Sequence, residues 1–241
     1  MIELTAADYA AELKRFRATG HVWLAADEMP ADVDVPPAWR TLLAAPDDLL
    51  ADRLVQMWAG IIDRLPAVAR FFRDKLARPA VFRNDGGDVA LLYPYTVEHD
   101  DLNFFIGRAP LRERWPDDAP PWTALPEALR RFHQTVHDGW TFFPANSMGP
   151  LPLADQAALA GKLDLTPVEI RKLGVNPDLV RTVFHNGSGD WLCVDSSEAA
   201  SGGNLAGWLW WHERPTELEP VDFWAVMNAW FEMFVEEADK R

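Results

Sequence analysis

The sequence predicts an α+β protein, and the stretches that carry this prediction lie near its C-terminal end. Short apolar runs at residues 181–184 and 191–195 flank the turn Asn186-Gly-Ser-Gly, an arrangement typical of a β-hairpin. A Trp-rich run at residues 207–213 predicts a further strand, and residues 222–237 carry apolar side chains at helical spacing. Strands and a closing helix therefore occur together in one α+β unit.

The last two of these elements are expected in the protein core. The apolar stripe of the final helix comprises Phe223, Trp224, Met227, Trp230, Phe231, Phe234 and Val235. A stripe of this width does not suit a surface helix with one partner, so we expect this helix to pack into the core. In the Trp-rich run, Trp208 and Trp210 share one face and Trp211 lies on the other, because strand side chains alternate. Such a strand is either covered on both faces or presents one face to a partner.

The N-terminal half predicts helices followed by a hairpin. Thr5, with an acidic residue three positions later, resembles a capping box and predicts a helix that ends at Gly20. A second helical pattern runs up to Pro66, where one helix must end and another can begin, because proline lacks the backbone donor. Residues 80–95 then predict two strands around the turn Asn84-Asp-Gly-Gly.

A boundary between two parts of the chain is predicted near its middle. Residues 102–106 are a further strand candidate, and Pro94 favours an edge position nearby. Residues 111–122 are rich in proline and acidic residues and contain no regular pattern. We therefore expect an N-terminal helical and hairpin extension, residues 1–120, and an α+β domain, residues 121–241. One continuous domain is the alternative.

The charge of the chain bears on its partners. The formal net charge is −14, with −6 in residues 1–120 and −8 in residues 121–241, so the excess is not confined to a tail. An acidic surface repels phosphate backbones, and nucleic-acid binding is therefore disfavoured. A basic protein would be attracted, with association slowing as salt rises. The alternative is that the charge only keeps the protein soluble.

The single cysteine, Cys193, excludes an intramolecular disulfide. The N-terminus lacks the basic and apolar pattern of a signal peptide, and no apolar run approaches the roughly 18 residues that span a bilayer. We therefore expect a cytoplasmic protein with no membrane association, in which an unpaired thiol stays reduced.

Two histidines lie one helical turn apart in the predicted helix at residues 125–137. His133 and His137 have a spacing that can bind zinc, but Gln134 stands where a metalloprotease has its glutamate base. Glutamine cannot take a proton from water at neutral pH, and no third ligand is evident. We interpret the pair as surface residues of the helix, with no metal or other cofactor.

A thiol–imidazole–carboxylate site is conceivable near the C-terminal strands, from Cys193, His185, His212, Asp190 and Asp195. Cys193 lies between two apolar residues, however, and a buried strand cysteine usually behaves as a small hydrophobe. The turn at residues 186–189 lacks the lysine of a phosphate loop and joins two strands, so it offers no helix N-terminus to an anion. We therefore expect no catalytic residues.

Aromatic and acidic side chains outside regular elements are the candidate protein-binding residues. Trp supplies much contact area at low entropic cost, and acidic neighbours suit a basic partner. The alternative is that these tryptophans only fold back onto the core. The candidates are Asp100, Asp101, Trp115, Asp117, Asp118 and Trp122.

The C-terminal half resembles the SUKH superfamily, which contains fungal cell-wall synthesis regulators and bacterial toxin-immunity proteins. The resemblance runs through the helix at residues 125–132 with its Asp-Gly-Trp ending and through Gly189-Asp-Trp-Leu-Cys-Val-Asp195. It continues in the strand at residues 207–213 and in the aromatic helix at residues 223–234. It covers about half of the chain, whose first 120 residues exceed a typical single domain of this kind.

The resemblance implies a largely antiparallel twisted sheet flanked by helices, and no catalysis. It further implies an immunity protein that binds and neutralises a cognate bacterial toxin, for which a nuclease would be a suitable basic target. Two alternatives remain: a non-catalytic adaptor that binds a host regulatory protein, and a small-molecule enzyme on the same fold. A Trp-rich surface is equally compatible with a homodimer.

Overall fold

The computed structural model describes residues 4–97, 101–112, 125–195 and 206–238. Within these ranges it contains seven α-helices and two antiparallel sheets, so the α+β prediction is confirmed. The helices are α1 (Ala6–Arg15), α2 (Pro37–Leu43), α3 (Leu50–Met57), α4 (Pro66–Asp74), α5 (Glu127–Thr135), α6 (Pro167–Ile170) and α7 (Phe223–Ala238). The strands are β1 (Gly20–Trp23), β2 (Ala80–Asn84), β3 (Val89–Thr96), β4 (Leu102–Arg108), β5 (Trp140–Phe143), β6 (Val180–His185), β7 (Trp191–Asp195), β8 (Ala206–Trp210) and β9 (Leu218–Asp222).

The first sheet has the strand order β1-β2-β3-β4-β5, and the second has the order β6-β7-β8-β9. Both predicted hairpins are confirmed: β2 pairs with β3 around residues 85–88, and β6 pairs with β7 around residues 186–190. Strand β5 follows the expected boundary at residue 120, yet it pairs with β4 of the N-terminal half. One sheet therefore takes strands from both predicted parts of the chain.

A short segment, residues 147–151, connects the two sheets by hydrogen bonds on both of its sides. The carbonyl groups of Ser147 and Pro150 accept from backbone N–H groups of β5 at 2.7 and 2.8 Å. The N–H groups of Met148 and Leu151 donate to carbonyl groups of β6 at 2.9 and 2.8 Å. The backbone N–H and carbonyl groups on the facing edges of β5 and β6 thereby have hydrogen-bond partners, which buried backbone groups require.

The inner faces of both sheets share one hydrophobic core with the helices. Trp140 on β5 is fully buried, stacked on Phe105 at 4.4 Å between ring centroids and set edge-on to Trp58 at 4.9 Å. The final helix α7 packs on α4 and on the second sheet, so its predicted place in the core is confirmed. Its buried members are Phe223, Trp224, Met227, Trp230, Phe231 and Val235.

The outer faces are covered only in part. On the first sheet, Tyr9 and Leu13 of α1 pack against Leu92 and Phe104. On the second sheet, the segment 153–179 supplies Leu159, which packs in one cluster with buried residues of β6, β7 and β8. Between these two covers, a strip of the first sheet stays open to solvent, and it forms the floor of the cleft described below.

Two of the predicted details are wrong. Gly20 does not end a helix: α1 ends at Arg15, and Gly20 begins β1. Pro94 does not mark an edge, because β3 is the central strand of its sheet. The carbonyl group of Pro94 accepts from Ala77 at 2.8 Å, on the side where β3 extends past the end of β2. No residue of β2 lies opposite Pro94, so the N–H group that proline lacks leaves no carbonyl group of β2 without a donor. Proline is therefore tolerated there.

Candidate functional site

A cleft of about 1120 Å³ lies over the open strip of the first sheet. Its floor and walls come from β2, β3, β4 and the residues that follow β4, up to Arg112. At Arg108 it meets a second pocket of about 320 Å³, which reaches Thr141 and Asn146 on the side of the second sheet. The polar residues of the main cleft are Asp34, Asn84, Asp88, Arg108, Arg112 and Asp138.

An acidic margin borders this cleft on the side of β2. We define it as six exposed carboxylates on two neighbouring loops: Asp27, Glu28, Asp32, Asp34, Asp85 and Asp88. Asp34 and Asp88 line the cleft itself, and Asp85 lines an adjoining pocket together with Pro30. None of the six forms an ion pair with any residue that the structure describes. The margin is therefore acidic without contact ion pairs, although Arg83 lines the pocket of Asp85 and Arg112 lines the main cleft.

The loop that carries four of these carboxylates is held in place from below. The Arg40 guanidinium donates to the carbonyl groups of Pro30 and Val33 at 3.3 and 2.8 Å. The side chains of Val33 and Val35 are buried in the core. Asp32, which precedes Val33, and Asp34, which lies between the two valines, are exposed. The alternation of buried valines and exposed aspartates thus presents the carboxylates to solvent on a fixed backbone.

The cleft floor contains one largely buried carboxylate, that of Asp138, whose side chain is 13% exposed. Its Oδ1 atom accepts from the backbone N–H of Leu153 at 2.9 Å and from Nδ1 of His133 at 3.1 Å. The amide nitrogen of Gln156 donates to Nε2 of His133 and to the carbonyl of Leu151, both at 3.1 Å. Because that carbonyl can only accept, the Gln156 amide is oriented with its nitrogen towards His133. Asp138 and Gln156 thus hold the two ring nitrogens of His133 in one orientation.

Polar groups at the second pocket are linked in a chain. Arg108 donates to Oδ2 of Asp155 at 3.2 Å, and Thr141 donates to Oδ1 of Asn146 at 2.9 Å. Asn146 has φ 51° and Arg112, at the end of the main cleft, has φ 56°. Non-glycine residues in this left-handed region carry local strain, which concentrates at functional sites. Asn146 lines the second pocket and Arg112 lines the main cleft, while Arg17 and Met148 have positive φ outside both.

The interpretation of His133 and His137 as surface residues is wrong, because both are fully buried. The Tyr93 hydroxyl lies 2.5 Å from Nε2 of His137, and Nδ1 of His137 lies 3.1 Å from the carbonyl of Arg108. Trp58 Nε1 donates to the Tyr93 hydroxyl at 3.1 Å. Each imidazole is thus engaged by hydrogen bonds, which makes its burial tolerable. Among the described residues, no three His, Cys, Asp or Glu side chains group as a metal site would require.

Burial of His137 predicts a pH-dependent stability. Desolvation lowers its pKa to about 3, against a partial opposing effect of the hydrogen bond with Arg108. The unfolded chain binds a proton near pH 6.5, whereas the folded protein does not, so stability is complete above pH 6.5 and falls as pH falls below it. We expect a loss of about 1 kcal/mol per pH unit between pH 6.5 and 5.5, measured by urea unfolding. His137→Asn, which can still donate to the carbonyl of Arg108, should be less stable and show a shallower slope, since burial lowers the pKa of His185 as well. An equal slope in both proteins would contradict the assignment.

The residues considered for a thiol site do not assemble around Cys193. Its side chain is fully buried in β7, and burial raises the pKa of its thiol. His212 is bonded through Nδ1 to Oδ1 of Asp190 at 2.8 Å, and half of its side chain is exposed. His185 bonds instead through Nε2 to the carbonyl of Asn146 at 2.7 Å. Burial acts to raise the pKa of Asp190, but its bonds with His212 and Asn186 outweigh this and lower it overall.

Most of the predicted protein-binding residues lie outside the described residues: Asp100, Trp115, Asp117, Asp118 and Trp122. Asp101 is described and exposed, at the β3–β4 turn, where its carbonyl accepts from Val97. It stands at the opposite end of the β3–β4 hairpin from the cleft, about 20 Å away for six residues of strand. The structure therefore does not bring Asp101 to the cleft, and the role of the other five stays a prediction.

The cleft residues were missed by sequence reasoning for identifiable reasons. In residues 29–39, Val33 and Val35 alternate with aspartates, which is the one sequence signal of a fixed, half-buried segment there. In the sequence, Asp138 stands out only as the first residue of the Asp-Gly-Trp ending that follows the helix at residues 125–132. No signal in the sequence places Asp138 beside Asp34 and Asp88, because that proximity depends on the packing of two distant segments.

Neither a protein-family model, nor a curated protein, nor a solved structure matches this chain. Across residues 4–97, 101–112, 125–195 and 206–238, no helix is both long and apolar enough to cross a membrane.

Proposed function

We propose that this protein is an immunity protein that acts in the cytoplasm and neutralises a basic toxin of the nuclease class by stoichiometric binding. The acidic margin carries the proposal: six exposed carboxylates without ion-pair partners in the described residues lie on two loops, and two of them, Asp34 and Asp88, line the cleft. A nuclease presents a basic surface to the phosphate backbone of its substrate. A carboxylate-lined margin complements that surface and raises the association rate.

The resemblance of residues 125–234 to the SUKH superfamily supports the same proposal from a separate direction. That group contains immunity proteins, and the residues that carry the resemblance form β7, β8, α5 and α7 of the folded chain. A general adaptor would share the binding surface but would have a host protein as its partner.

One observation favours a small-molecule enzyme as a second candidate. Asp190 orients the imidazole of His212 through Nδ1, as an acid does for a general base, and half of the His212 side chain is exposed. A nucleophile is missing from this pair within the described part of the chain, since no hydrogen bond joins His212 to a serine, threonine or cysteine side chain. We therefore favour binding over catalysis.

Neutralisation by the purified protein tests the proposal. The toxin to use is the product of a gene adjacent to that of this protein, assayed for nuclease activity while the protein is titrated in. We expect activity to fall linearly to zero at a 1:1 molar ratio, because each inhibitor molecule that binds tightly occupies one toxin molecule. A basic nuclease of unrelated sequence serves as the control and should keep its activity. Full activity of the adjacent-gene toxin in the presence of a tenfold molar excess would contradict the proposal.

A further inference from the structure

We propose that the outer edge of β1 is a docking site for an extended segment of a basic protein partner, which would join the first sheet as a sixth strand. The inference rests on the proposed function for the nature of the partner, a basic toxin. The site itself rests on three observations: the open edge of the sheet, a pocket beside β1 and the charge of the loop that follows β1.

Three of the four sheet edges are closed to a further strand. Residues 147–151 bond to both β5 and β6. In β9, the register of the second sheet turns Pro220 outward, where proline offers no N–H group to an added strand. On the outer side of β1, by contrast, no strand or isolated bridge pairs with it in the part of the chain that the structure describes. The edge of β1 is therefore the open one.

The register of β1 with β2 identifies the backbone groups that are open. The carbonyl of Thr19 accepts from the N–H of Asp85 at 3.2 Å, so Thr19 faces β2. Along an antiparallel pair, every second residue then bonds to the neighbouring strand. The intervening residues, Gly20 and Val22, point their N–H and carbonyl groups away from the sheet. An added strand would bond to these two residues.

A pocket of about 310 Å³ beside β1 can take a side chain of the added strand. It is lined by His21 and Trp23 of β1, whose rings stack at 6.0 Å between centroids, and by Pro30 of the following loop. Trp23 is only partly buried. The stem of a lysine or arginine packs well on such a ring, and its charge is attracted by the ring face. Strand addition commonly combines backbone bonds with side-chain pockets of this kind.

The loop after β1 favours a basic segment. Residues 18–39 contain no lysine or arginine, and their carboxylates are those of Asp27, Glu28, Asp32 and Asp34. Arg17 and Arg83 lie towards the start of β1, so the negative charge is concentrated at its end. Because β1 offers only two outward residues, few backbone bonds form, and charge attraction has to supply a large part of the affinity.

A second copy of this chain fits the same edge poorly. Pairing β1 with its counterpart would bring two of these acidic loops to one interface. Like charges placed together across an interface disfavour association. The charge of the loop therefore selects a basic partner over a homodimer at this edge.

A basic peptide tests the site without the toxin. The probe is a short acetylated and amidated peptide of alternating lysine and valine, titrated into the ¹⁵N-labelled protein at low salt and followed by the NMR shifts of backbone amides. We expect saturable shifts concentrated at residues 20–24. The same peptide with every backbone nitrogen methylated keeps its charge but has no N–H donor and cannot lie against a strand edge, so it should produce none.

Val22→Pro tests the edge in the complex with the toxin of the adjacent gene. The N–H group that it removes points outward and bonds to no residue of β2, so β1 should still form. We expect the affinity for the toxin to fall about tenfold, the value of one hydrogen bond whose acceptor is left unpaired. Val22→Thr, which is also β-branched and keeps the N–H group, should stay within about twofold. If Val22→Pro does not fold, the methylated and unmethylated peptides decide.

Absence of saturable shifts at residues 20–24, equal shifts with the methylated peptide, or unchanged toxin affinity in Val22→Pro would overturn the inference. A wild-type dimer that Val22→Pro converts to a monomer would also overturn it, since a second copy would then occupy the edge. Peptide binding by a protein that fails to neutralise the toxin would overturn the proposed function alone. Neutralisation with equal affinity in Val22→Pro and the wild-type protein would overturn only the docking site.

Discussion

Gly149→Ala should destabilise the protein by about 3–5 kcal/mol, the range of severe overpacking and lost backbone pairing. A Cβ atom at this position would lie 1.8 Å from the carbonyl oxygen of Trp140, a backbone atom of β5 that cannot move aside by a side-chain rotation. Relief of the clash requires residues 147–151 to move away from β5. That movement breaks the hydrogen bonds by which this segment joins the two sheets.

Gly161→Ala is the control for this variant, because a Cβ atom at Gly161 would meet nothing within 4 Å. This variant should raise the free energy of unfolding by less than about 1 kcal/mol, because alanine restricts the conformations of the unfolded chain. Urea unfolding followed by far-UV circular dichroism and by tryptophan fluorescence gives both values. Equal stabilities of the two variants would contradict the role assigned to residues 147–151.

The local elements of this fold were predictable where sequence signals act over short distances. The two hairpins, the helix start at Pro66 and the capping box at Thr5 each depend on residues within a few positions, and all four are confirmed. The width of the apolar stripe also placed α7 correctly in the core. Backbone stereochemistry and side-chain periodicity suffice for such predictions.

Features that depend on distant residues were not predictable. The burial of His133 and His137 follows from partners contributed by Gln156, Tyr93 and Arg108, which no helical periodicity identifies. The edge interpretation of Pro94 failed because the rule for proline applies to one side of a strand, and the register of β2 decides which side. The candidate site belongs to this second kind, since its wall and floor come from segments about 50 to 100 residues apart.

The acidic margin should govern how fast the protein finds its partner. The triple variant Asp27→Lys, Asp32→Lys and Asp34→Lys changes the net charge from −14 to −8, since each exchange adds two positive charges. These three side chains are exposed and make no hydrogen bond or ion pair within the described residues, so the fold should be unaffected. At low salt we expect the association rate with a basic toxin to fall about 100-fold, because electrostatic steering contributes roughly 10- to 1000-fold.

The matched control reverses three exposed carboxylates on the side of the second sheet: Asp164→Lys, Asp178→Lys and Glu213→Lys. This variant also has a net charge of −8, so any effect of total charge is the same in both proteins. Its association rate should fall by less than about threefold, because these carboxylates do not border the cleft and are screened at distances beyond about 10 Å.

The most direct test that an acidic cleft binds a basic protein is a comparison of association rates. The wild-type protein and the two triple variants are mixed with the toxin of an adjacent gene, and the rates are measured by stopped-flow fluorescence at low and high salt. We expect the margin variant alone to be slow at low salt, and all three rates to converge as salt rises. Equal rates for the two variants, or a wild-type rate that does not depend on salt, would contradict the account.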